Sequence, residues 1–170
     1  MKVISTLIMI LSFASLFSQE INPQMLEKIN EDGILYTTSL KSGNIESLRQ
    51  ANPPKDTWLF SKLEKYKHNL GSKDILYGSI IMPSIVENSN LYFYNLFAYD
   101  IKKEFYYFAA IVSYKVIDDN VQFDNSFLFT EKESLQDWWM KIFSFYESEK
   151  FNTIPEKYQF KTCPPPPFRS

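Results

Sequence analysis

Leu91-Tyr92-Phe93-Tyr94-Asn95-Leu96-Phe97-Ala98-Tyr99 and, beyond a polar break at Asp100 to Lys103, Phe105-Tyr106-Tyr107-Phe108-Ala109-Ala110-Ile111-Val112 decide the fold. Apart from Asn95, odd and even positions of the first run are both apolar or aromatic, and the second run repeats this. Two adjacent strands with no polar face are either covered on both sides or turn tyrosines toward a partner.

Working outward, Ile75 to Met82, Leu91 to Tyr99, Phe105 to Ile117 and Val121 to Phe129 share this β-branched and aromatic character. The breaks hold Pro83, Asn88 to Asn90, Asp100 to Lys103 and Asp118 to Asn120, so the spacing predicts a four-stranded antiparallel meander. A two-residue turn at Asp119-Asn120 sets Val116 opposite Phe123, Val112 opposite Phe127 and Ala110 opposite Phe129. The same register brings Lys115 to Asp124 and Ser113 to Ser126 on the reverse face.

Helical periodicity flanks the strands. Asn22-Pro23 reads as a cap followed by proline at the first helical position, and Gly33 reads as a stop, giving a helix over about 23 to 31. Ile34 to Leu40 fits strand or helix equally. Asn52-Pro53-Pro54 opens another helix, with Leu59, Leu63, Tyr66 and Leu70 on one stripe and Gly71 as its end. After the strands, Thr130-Glu131-Lys132-Glu133 has the form of a capping box. Leu135, Trp138, Trp139, Ile142, Phe143 and Tyr146 then form the apolar stripe of an amphipathic helix. The fold class is therefore α+β: N-terminal helices, the meander, one C-terminal helix and a proline-rich tail.

Met1 to Gln19 carries one lysine and then an apolar run thinned by serines, the layout of a secretory signal peptide rather than a membrane span of about 20 strongly apolar residues. The expected organisation is a signal over 1–19, a single domain over 20–160 and a tail over 161–170. The chain is thus expected to be exported, periplasmic or extracellular, with no stable membrane insertion after cleavage. With 18 Lys and Arg against 20 Asp and Glu, nothing suggests a phosphate-tracking surface for nucleic acid.

The sole cysteine, Cys163, has no intramolecular disulfide partner, but it offers a route to a cross-linked homodimer. One cysteine and one histidine make a poor metal-ligand set, and the glycines form neither a phosphate loop nor a dinucleotide fingerprint, so no cofactor or metal is expected. His68 reads as a solvated cation near a helix end. The adjacent carboxylates Glu31 and Asp32, Asp118 and Asp119, and Glu131 and Glu133 all have local helix-end or turn roles.

This inventory points to a non-enzymatic binding protein that engages another protein, with an inhibitor or immunity-type partner of an exported toxin as one form. Tyr92, Tyr94, Tyr106 and Phe168 are its candidate contact residues. The alternative is a small-ligand carrier with an aromatic pocket lined by Tyr107, Tyr114 and Trp138. A carboxylate-based hydrolase is the third reading. The tail, Cys163-Pro164-Pro165-Pro166-Pro167-Phe168, has the polyproline character to lie against aromatic rings, of this chain or of another.

Overall fold

A computed structural model of the chain describes residues 22–42, 44, 57–66, 74–84, 89–159 and 163–167. The expectations for the signal segment, His68 and Phe168 lie outside them. The order is α1 (Pro23–Ser42), α2 (Thr57–Leu63) with a 3-10 turn to Tyr66, β1 (Ile75–Pro83), β2 (Leu91–Asp100), β3 (Phe105–Ile117), β4 (Asn120–Phe129) and α3 (Lys132–Tyr146), followed by short 3-10 turns. The strands form one antiparallel meander in the order β1-β2-β3-β4, an α+β arrangement. Among the described residues no helix is long and apolar enough to cross a membrane.

Both faces of the central strands are covered. Tyr94, Leu96 and Ala98 pair with Val112, Ala110 and Phe108 on one face. There the phenol of Tyr94 meets the Thr37 hydroxyl of α1 at 3.1 Å and the Tyr66 ring packs 5.6 Å from Phe108. The other face carries Asn95, Phe97 and Tyr106 against Trp138 of α3. Two-sided apolar strands are thus buried under a helical layer on each side.

α1 starts where the sequence indicates, with Asn22 Oδ1 accepting from the Gln24 amide at 3.0 Å, but it does not stop at Gly33. The helix continues through the ambiguous 34–40 segment, because Met25, Leu26, Ile29, Gly33, Tyr36 and Ser39 form one unbroken buried stripe. Gly33 is there for close approach: the Tyr94 ring occupies the space a Cβ would need.

The last hairpin differs by register from its sequence reading. Its turn is Asp118-Asp119, both at positive φ (47° and 60°), with Ile117 opposite Asn120. Such a turn requires the left-handed region twice, and aspartate tolerates it better than most residues. The pairs become Val116 with Val121 and Tyr114 with Phe123. An irregularity at Ser113/Tyr114 then leaves Asp124 as the extra residue of a bulge, and Val112 faces Ser126. Hence none of the five expected pairs forms as direct ladder partners. Lys115 and Asp124 still reach each other diagonally as an ion pair at 2.5 Å.

No capping box forms either. Glu131 is the N-cap of α3 without a side-chain bond, so Thr130 lies one residue outside, and Ser134 Oγ donates to the Glu131 carbonyl instead. The inner stripe is Leu135, Trp138, Ile142 and Phe145. Trp139 and Phe143 sit on its flank, stacked with centroids 5.1 Å apart. That flank supports the tail: Trp139 Nε1 donates to the Pro164 carbonyl at 2.9 Å and the Tyr106 hydroxyl donates to that of Pro165. Pro164 and Pro167 are buried. The tail is a strap on its own domain, supplying acceptors to two aromatic donors, one buried at Tyr106 and one half-buried at Trp139.

Candidate functional site

The sequence-derived residues do not converge. Tyr92 is half-buried and Tyr94 fully buried on the α1 face, whereas Tyr106 is buried on the α3 face among Phe97, Tyr99 and Trp138. The sheet separates Tyr106 from the other two, so these three tyrosines make no common exposed patch. Tyr107, Tyr114 and Trp138 are likewise apart. Tyr107 donates to Asp100 Oδ2 at 3.2 Å beside the β2–β3 turn, Tyr114 donates to Asp32 Oδ2 of α1 at 2.7 Å, and Trp138 lies across the sheet. Each belongs to the packed interior or its rim rather than to a shared cavity.

A candidate site lies instead at the β1 edge, as a groove of about 440 Å³. Its floor is the run Leu76-Tyr77-Gly78-Ser79-Ile80-Ile81, backed by Tyr94 of β2. α1 supplies one wall through Asn30, Thr37 and Lys41. The opposite wall is the C-terminal segment, with Lys157, Tyr158 and Gln159 leading to Cys163, Pro164 and Pro165 of the strap. Glu27 fixes the two walls together: it accepts hydrogen bonds from Lys157 and from the Tyr158 hydroxyl. The Lys157 bond is the main cause that holds the Glu27 carboxyl below its ordinary range, and Glu27 in turn raises Lys157.

Cys163 is half-buried in the far wall, and its thiol is pushed up first by burial and then by the charge of Glu147. A raised thiol is a poor nucleophile at neutral pH. The groove offers apolar floor, hydroxyls, carboxamides and two ammonium groups, and no described carboxylate lines it. Among the described residues no three His, Cys, Asp or Glu side chains are grouped to hold a metal.

No protein-family model, curated protein or solved structure matches the chain.

Sequence reasoning missed this groove because its far wall comes from residues about 80 positions beyond its floor, a distance only the fold closes. One local signal was present. Gly78-Ser79 interrupts an otherwise apolar strand, a composition typical of an edge or of a place where another backbone approaches.

The buried phenols set a pH limit. Burial, then the adjacent Asp32 charge, pushes Tyr114 far above the ordinary phenol value of about 10, and burial does the same to Tyr106. The unfolded chain ionises these groups near pH 10 while the folded chain keeps them neutral. Their contribution is therefore complete below about pH 10 and is lost as pH rises beyond it. Urea midpoints are expected to hold from pH 7 to 9 and to fall by pH 11, with a shallower fall in Tyr114→Phe. A flat profile to pH 11 contradicts the burial of these hydroxyls.

Proposed function

We propose that the chain is a non-enzymatic, exported binding protein that engages another protein by taking an extended segment of it into the groove beside β1. The observation that carries this reading is the shape of the floor. Six consecutive strand residues line it, so at about 3.3 Å per residue the groove follows the strand for roughly 20 Å. An extended polypeptide matches that path, and alternate side chains of such a segment meet the α1 wall and the strap. Leu76, 41% exposed, provides apolar surface at one end. The export half of the proposal rests on the apolar character of Met1 to Gln19.

A second reading, a carrier of a small ligand, is favoured by the volume, which falls in the range of small-molecule sites. Peptide display on the folded protein separates the two. Peptides selected on the protein are expected to lose about tenfold or more in affinity for Leu76→Asn, which keeps the interior intact, and for Gly78→Tyr, which fills the floor. Native mass spectrometry completes the test. A small molecule co-purifying at one per chain, with selected peptides indifferent to both substitutions, supports the carrier and overturns the peptide reading.

A further inference from the structure

The charge of the groove specifies its occupant. The chain as a whole is acidic, with a net charge of -2, yet the described residues lining the groove include two lysines and no carboxylate. Lys157, on the far wall, is partly neutralised by Glu27. Lys41, on the α1 wall, is exposed and forms no ion pair with any described residue. A cation held at a groove wall above an apolar floor attracts a carboxylate brought by a ligand, and it repels an ammonium group. The floor between the two lysines, from Leu76 to Ile81, meanwhile offers mainly apolar surface on which apolar side chains can lie.

Resting on the reading of the groove as a peptide site, we propose that its partner is an acidic polypeptide segment, in which Asp or Glu side chains alternate with apolar residues. In an extended chain alternate side chains point to opposite sides. One set then lies on the apolar floor while the acidic set reaches Lys41 and the exposed part of Lys157. The positive groove on a negative surface also orients the approach of such a segment.

The probes are three fluorescent decapeptides that alternate valine with glutamate, glutamine or lysine, titrated into the full mature chain at low and at physiological salt. The glutamate peptide is expected to bind at least tenfold tighter than the glutamine peptide, and the lysine peptide weakest. The preference shrinks as salt rises. Lys41→Glu removes most of it, and Lys41→Arg retains it. Equal binding of the glutamate and glutamine peptides overturns the charge inference and leaves the peptide site standing. Absence of binding by all three overturns both. A single-stranded oligonucleotide of equal charge that competes as well as the glutamate peptide shows a general polyanion site and contradicts the polypeptide assignment.

Discussion

Trp138→Ala is expected to lower the unfolding free energy by about 3–5 kcal/mol, the range for deleting a large buried aromatic side chain. The residue is 1% exposed and sits where the α3 stripe meets the sheet. Its ring lies 5.9 Å from Phe97 and 5.7 Å from Tyr106, and its Nε1 donates to Asn95 Oδ1 at 3.3 Å. Removal leaves a cavity under two aromatic neighbours and also a buried carboxamide oxygen without its donor, since Asn95 is 2% exposed. Tyr106 is one of those neighbours and holds the strap, so the loss should extend to the tail. Urea unfolding followed by circular dichroism measures it, and a loss under 1 kcal/mol contradicts the packing described. A typical domain of this size has about 5–15 kcal/mol in total, so the variant is expected to be marginal.

Gly33→Ala is expected to destabilise by about 1–3 kcal/mol, net of the about 1 kcal/mol by which alanine in a helix interior is ordinarily better than glycine. A Cβ at position 33 falls 2.5 Å from the Tyr94 Cζ and closer still to Cδ2 and Cε2. These are ring atoms of a side chain that is 1% exposed and bonded to Thr37, so the ring cannot swing aside without losing that bond and its packing. Overpacking of a close-packed core costs about 1–3 kcal/mol, and the lost hydroxyl bond adds about 1 kcal/mol. The double variant Gly33→Ala, Tyr94→Leu separates sterics from propensity. Its loss should be smaller than the sum of the single losses, because the clash disappears with the ring. Stabilisation by Gly33→Ala alone would mean that α1 and β2 do not approach as described.

These two residues also show where sequence reasoning stops. The stripe Leu135, Trp138, Ile142 was legible because helical periodicity and burial coincide in α3. The four strands were legible because the periodicity changes at Ile75 and turn residues punctuate the rest. Gly33 was misread because a glycine that ends a helix and one that admits a ring from another element look the same in one dimension. The hairpin register failed for a related reason. Asp118, Asp119 and Asn120 all tolerate positive φ, so the chain offers two overlapping turns, and the bulge at Asp124 adds a further step. Phe143 and Phe145 both lie near the helix stripe; Phe145 is the covered one, packed against Phe151 of the following 3-10 turn, while Phe143 remains exposed.

The candidate site was the least legible part. Tyrosine density drew attention to the central strands, where the rings are in fact the core. The groove borrows its walls from α1 and from the C-terminal segment, and its floor is the least aromatic strand of the sheet. Local composition records such a site only as an interruption, here Gly78-Ser79.

Amide chemical-shift mapping tests the central claim most directly. The isotope-labelled protein is titrated with a display-selected peptide. Shifts are expected to concentrate on Leu76 to Ile81, on Thr37 and Lys41, and on Lys157 to Gln159, with the β4 edge and the outer face of α3 unchanged. Shifts concentrated around Phe127 and Met140, with the groove residues silent, would contradict the assignment of the binding site to the β1 edge.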